Sequence, residues 1–264
     1  MDAWGCQGKL KNRLLCQYIA LIFSWHAVAA LPAIVMVPAT AVSAKTVYWG
    51  PKEKTVTIDP GHGGAREGAR STDGQLEKNL TLQLSRRIAE VMTKRYRSVL
   101  TRDGDYDIEI ERRTAVANHE KSDAFISVHL GGSFLHQVSG IHIYYFKPTG
   151  NQQSGETSFE DTDELASATS WDRIQEKHLN SSRLLAQVLS RQLQAIAPSI
   201  RCSVSAAPLL VLRGADMPAV LLEAGHLTNA DDRRALLKDG RMEATARAIA
   251  EGVEAFFETL SKSD

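Results

Sequence analysis

DAFISVH at residues 123–129 is the stretch on which the fold turns. A short, almost continuous apolar run of this kind suits a strand buried on both faces, as in a parallel sheet. Working outward, KTVTID at 54–59 is β-branched and apolar and stops at Pro60-Gly61, so a first strand ends where a glycine-rich loop begins. Asp73-Gly74 marks a turn. Leu80, Leu84, Ile88, Val91 and Met92 then recur at helical spacing, which predicts an amphipathic helix over about 77–95. SVLTR at 98–102 returns as a strand, and a second helix over about 109–120, carrying Ala115 and Val116, leads into 123–129. Two strand–helix–strand crossovers result.

Downstream, GIHIYYF at 140–146 alternates like a further strand, with Ile141, Ile143 and Tyr145 on one face and His142, Tyr144 and Phe146 on the other. Leu184, Leu185, Val188 and Leu189 predict a third helix, PLLVLR (208–213) and PAVLLE (218–223) two more strands, and roughly 241–261 a last helix. Between Lys147 and His178 the composition shifts to Gln, Ser, Thr, Glu and Asp, which reads as a polar surface insertion, with a lid or regulatory segment as the other reading. The expected class is therefore α/β. Residues 45–264 should form a single domain, a mostly parallel twisted sheet of about six strands with helices on both faces.

The chain of 264 residues balances 31 Lys and Arg against 31 Asp and Glu, so no global field recruits nucleic acid or an anionic membrane surface. The first 44 residues differ from the rest. Lys9, Lys11 and Arg13 precede an apolar run from Leu14 to Trp25, and the segment stays apolar and small to Val42-Ser43-Ala44, a signal-peptide layout. Ala27-Val28-Ala29 offers a second cleavage site, and an uncleaved anchor is the alternative, the sole route to membrane contact. Either way the remainder is expected outside the cytoplasm, in the periplasm or beyond the cell. Cys6 and Cys16 fall within the leader, so only Cys202 would remain, an incidental thiol with no partner for a disulfide.

Four side chains stand where chemistry would need them. His62 lies in DPGHGG directly after the first strand, Glu77 opens the first long helix, His129 ends the buried strand, and Glu223 ends PAVLLE. In an open α/β sheet, ligands collect in the crevice beyond the carboxyl ends of the strands, so residues distant in sequence converge there. A few imidazoles and carboxylates around a metal, a free position for water and a separate base are the requirements of metal-assisted hydrolysis. Each residue also has a plainer reading: a histidine between Gly61, Gly63 and Gly64 occurs in ordinary turns, and a strand-ending histidine can simply bond a carbonyl. Glu223, finishing an apolar strand, needs something to offset its desolvation.

DPGHGG, GQLEKNLTL, SVLTRDGD, ERRTAVAN, SDAFISVH and VLRGADMPAVLLEAGHLTN, in that order from about Val56 to Leu237, resemble the zinc N-acetylmuramoyl-L-alanine amidases of the amidase_3 type. The resemblance implies that His62, Glu77 and His129 bind one Zn2+ and that Glu223 is the catalytic general base, with no organic cofactor. It further implies hydrolysis of the amide bond between N-acetylmuramic acid and L-alanine of peptidoglycan. Substrate engagement would fall to the catalytic groove or to an activator protein outside this chain. A non-catalytic wall-binding or regulatory protein on the same scaffold, or a zinc peptidase cutting within the stem peptide, are the rival functions. Arg102, Arg113, Asn118 and Asn229 also match motif positions and are read mainly as structural.

Two positions depart from the pattern. Leu130-Gly131-Gly132 follows the second histidine where the family has Ala and then Asn or Asp, so the loop beside the metal is expected to differ in shape or mobility. His226 replaces the usual phenylalanine and is expected to be a solvated substitute, with a proton-transfer group or a substrate contact as alternatives. His119, His136, His142 and His178 are read as surface or strand-face residues.

Overall fold

Strands with apolar side chains on both faces must be covered on both sides, and this requirement organises the molecule. The computed structural model describes residues 46–47, 54–133, 137–148 and 171–262. The leader and most of the polar insertion lie outside these residues. Among the described residues, seven strands form one sheet in the order β1-β3-β2-β4-β7-β5-β6. In chain order they are β1 (Thr46–Val47), β2 (Thr55–Pro60), β3 (Arg97–Leu100), β4 (Ala124–Gly131), β5 (Ile141–Phe146), β6 (Cys202–Ala207) and β7 (Ala219–His226). β3, β2, β4 and β7 run parallel; β1 is antiparallel to β3, and β5 and β6 form a parallel pair that meets β7 antiparallel. The helices are α1 (Glu77–Met92), α2 (Ile110–His119), α3 (Leu179–Ile196), α4 (Ala230–Leu237) and α5 (Arg241–Ser261). None of the described helices is long and apolar enough to cross a membrane.

The two faces of the sheet are covered unequally. Val56, Ile58, Ile126, Val128, Ile143, Val220 and Leu222 point to a first face, where they pack with α1, α3 and α5 in one large core. On the second face a smaller cluster joins Phe125, Phe146, Ala219 and Leu221 to Ala117 of α2 and Leu212. Where that cluster stops, the second face turns polar: Asp59, Ser127, His129 and Glu223 each alternate with a first-face core residue.

Several elements differ from expectation, β1 among them. PLLVLR is not a strand: Leu210–Leu212 is a 3₁₀ turn, with Leu212 buried and Leu210 exposed. Pro208 brings no backbone N–H to a ladder. The strand in this region is β6, whose small side chains are half-buried or exposed at the sheet edge and carry no hydrophobic alternation. α4 was not anticipated either, because it buries only Asp232 and Leu236 and is set by its cap, the Asn229 side chain accepting from the N–H groups of Asp231 and Asp232. The end of the polar stretch is tied down, since Gln175 is buried and donates to the carbonyls of Ala215 and Met217.

Candidate active site

The loop after β2 is gripped by its carbonyls. Arg102 donates to the carbonyls of Pro60 (3.0 Å) and Gly61 (2.7 Å), and Arg113 donates to those of Pro60 (2.8 Å) and His62 (3.0 Å). Arg113 also pairs with buried Asp59 at 2.8 Å, and Asp59 accepts from Thr101 (2.5 Å) and Ser127 (2.7 Å). Burial, and then the neighbouring Arg113, lowers Arg102 to about 10, which leaves its guanidinium charged at neutral pH. This grip holds His62 at φ 61°, a left-handed conformation that costs a non-glycine residue about 1–3 kcal/mol. The structural reading of the two arginines thus gains a specific content: they set the backbone that presents His62.

Glu77 begins α1, where the helix dipole favours a carboxylate. Its Oε2 accepts from the N–H of Ala69 at 2.7 Å and its Oε1 from that of Leu130 at 3.0 Å. The same two oxygens face Nε2 of His62 and Nδ1 of His129, each at 3.0 Å. Burial alone would raise its pKa; the hydrogen bonds from His129 and His62 outweigh it and hold the group well below its ordinary 4.5. A depressed carboxylate contributes stability that is complete above the unfolded value and is lost progressively as pH falls below it. Metal-free thermal melts should therefore show a gap between wild type and Glu77→Gln that shrinks as pH is lowered from about 6 to about 3. A gap that widens on acidification would overturn this assignment.

His129 projects from β4, and its ring lies over Gly61. A Cβ at position 61 would sit 2.5 Å from Cε1 of the ring, so the close approach requires glycine. The rings of His62 and His129 lie 5.0 Å apart at 75°. Ligand atoms of His62, Glu77 and His129 all fall within 4.8 Å of one another, a geometry able to hold a metal ion. Gly61→Ala should push the ring of His129 aside and weaken metal binding about 10–100-fold, read by competition with a chelator. Unchanged affinity would mean that the ring is free to move.

Glu223 stands in β7 directly beside His129 of β4 and directly beside His142 of β5. Leu222 and Ala224 belong to the first-face core, so Glu223 shares the second face with His129. Among the described residues none donates a hydrogen bond to its carboxylate. The phenol of Tyr144 is raised by burial and further by the charge of Glu223, which places the two within electrostatic reach. The expected crevice beyond the strand ends needs adjustment, because β4 continues to Gly131 and β7 to His226, so His129 and Glu223 rise from the sheet face near its rim.

The remaining residues sort plainly. Asn118 donates to the carbonyl of Gly214 and accepts from the N–H of Asp216, and Asn229 caps α4; both hold loops. Cys202 is half-buried, and burial pushes its thiol up, which disfavours the reactive thiolate. His178 pairs with Asp216, while His136 lies outside the described residues. His226 is not the solvated substitute expected: at 5% exposure it is buried, its backbone N–H donating to the carboxylate of Asp232 at 2.9 Å and its ring Nδ1 lying 3.8 Å from the same carboxylate. His142, read as a strand-face residue, stands on the face that carries the site. A cavity of about 490 Å³ between α2 and the 3₁₀ turn, lined by Glu111, Arg112 and Arg213, includes none of the four candidate residues.

With this arrangement established, residues 56–255 match the profile of Amidase_3, the N-acetylmuramoyl-L-alanine amidases. The chain belongs to that family. Its relatives include the probable cell wall amidase LytH of Staphylococcus epidermidis, 30% identical over 209 residues that make up 78% of this chain and 59% of LytH. The chain thus spans about three fifths of that relative's length. Among solved structures, N-acetylmuramoyl-L-alanine amidase AmiC2 of Nostoc punctiforme superposes with a TM-score of 0.64 at 27% identity, covering 79% of this chain and 99% of that one. The N-acetylmuramoyl-L-alanine amidase of Clostridium difficile 630 gives 0.62 at 26% identity, covering 79% and 98%. Both superpositions place this chain on the same fold as those amidases.

Proposed function

We propose that the chain is an exported, zinc-dependent N-acetylmuramoyl-L-alanine amidase that releases stem peptides from peptidoglycan. The observation that carries this reading is the pairing of Glu223 with His129, which sets one carboxylate beside the His62–Glu77–His129 cluster and outside it. Two imidazoles and a carboxylate form the mixed nitrogen and oxygen donor set typical of catalytic zinc sites, which keep a position open for water. Bound there, zinc would lower the pKa of a water and polarise the amide carbonyl. The backbone N–H groups of Ala69 and Leu130 hold Glu77 in place, and the arginine grip on residues 60–62 holds His62, so the donors are oriented in advance.

Glu223, free of competing donors among the described residues, is the group placed to take a proton from the attacking water. An O–C bond forms at the lactyl carbonyl, the C–N bond breaks, and the proton held by Glu223 passes to the departing nitrogen. The products are a muramic acid carboxylate and a peptide with a free L-alanine amine. Digestion of purified peptidoglycan followed by mass spectrometry tests the bond. A cut within the stem peptide would instead leave L-alanine attached to the sugar, and intact peptidoglycan would leave only a binding protein.

A further inference from the structure

The row of polar side chains does not stop at Glu223. Register pairs Glu223 with His142 and His142 with Ser203, so His129, Glu223, His142 and Ser203 cross β4, β7, β5 and β6 in line. Neighbours in such a row are about 4.8 Å apart. Ile141 and Ile143 belong to the first-face core, which fixes His142 on the open second face. Its position is therefore on the side of Glu223 remote from the metal-binding cluster.

The ring of His142 is held from several directions. Nδ1 lies 2.8 Å from the hydroxyl of Ser203 and Nε2 lies 3.3 Å from the carbonyl of Ser139. A carbonyl only accepts, so Nε2 carries hydrogen, and in the neutral ring Nδ1 accepts from Ser203. The first contact is short and the second is long and weak. β5 starts at the rim where antiparallel β7 ends, so the weakly engaged Nε2–H points toward the rim that also carries His62 and Glu77.

His226 completes the support. Its ring packs edge-on against His142 at 5.2 Å, and its Nδ1 lies 3.4 Å from the carbonyl of Gly140 and 3.8 Å from Asp232. Its far edge fills the place of a side chain at 131, where a Cβ would come within 2.5 Å of Nε2. Tyr144 stands nearly parallel to His142, 6.3 Å away. A ring held this firmly and only half-buried, with its Nε2–H weakly engaged, is already arranged for a ligand.

We propose that His142 is a substrate-positioning residue, exchanging its weak contact with Ser139 for a hydrogen bond from Nε2–H to a carbonyl or hydroxyl oxygen of the substrate, on the side of the scissile amide away from the metal cluster. The inference rests on the amidase reading and assigns the half of the groove which that reading leaves open.

The test compares wild type, His142→Phe and His142→Gln on a soluble muramoyl-peptide fragment, with bound zinc and melting temperature measured for each. His142→Phe should raise KM about five- to tenfold with kcat changed less than about threefold, and Gln, which keeps a donor, should restore part of the loss. Wild-type KM in the Phe variant, equal losses in both variants, or loss of zinc with the substitution would each overturn the proposal. Fragment affinity is also measured calorimetrically in zinc-loaded Glu223→Gln with and without His142→Phe. Should wild type release no peptide, the amidase reading fails, and this binding comparison decides His142 by itself: equal affinities, or no binding in either, overturn it.

Discussion

Glu223→Gln is expected to slow peptide release from purified peptidoglycan by about 10²–10⁴-fold while zinc remains bound at the wild-type ratio. The substitution keeps the shape of the side chain and removes its capacity to accept a proton. It breaks no hydrogen bond to the carboxylate among the described residues, and Glu223 lies outside the metal-binding cluster, so neither folding nor the donor set is disturbed. Stability should stay within about 0.5 kcal/mol of wild type. Chromatography of released peptides, zinc analysis and denaturant unfolding together separate the loss of a proton acceptor from loss of fold. Retention of wild-type turnover by this variant would remove Glu223 from the mechanism.

The second large effect concerns the cluster itself. His129→Ala should reduce metal affinity by more than about 100-fold and bring peptide release to background, because it removes a whole donor, not merely its support. Glu77 would keep His62 and the N–H groups of Ala69 and Leu130, so its burial stays partly compensated and the domain stays folded. Treating wild type with a strong chelator should reproduce the loss, and added zinc should reverse it in wild type alone. Full activity in thoroughly chelated protein would exclude a metal-dependent reaction.

The legible parts of this chain were those where local pattern and tertiary requirement agree. The buried runs at 54–59, 123–129 and 218–223 could hardly be anything but strands of a covered sheet, and the last helix spans Arg241–Ser261 as its apolar spacing predicts. His62, Glu77 and His129 were marked by their places at a strand–loop junction, a helix start and a strand near the rim. What escaped depended on pairing between distant segments. β6 pairs with β5 through small, half-exposed residues, and the place of His142 beside Glu223 follows only from the antiparallel register of β5 against β7, which alternation within β5 does not encode. His226 was misjudged for a related reason: its burial comes from Asp232, Gly131 and His142, none of which its flanking residues reveal.

The lopsided clothing of the sheet has a consequence for access. Among the described residues, three long helices upholster one side, and none of the three lies over the polar row on the other. A polymer reaching that row across the strands would have none of these helices to pass. For a closed mesh such as the proposed substrate, in which ends are scarce, such a sideways approach would matter more than the capture of a free end.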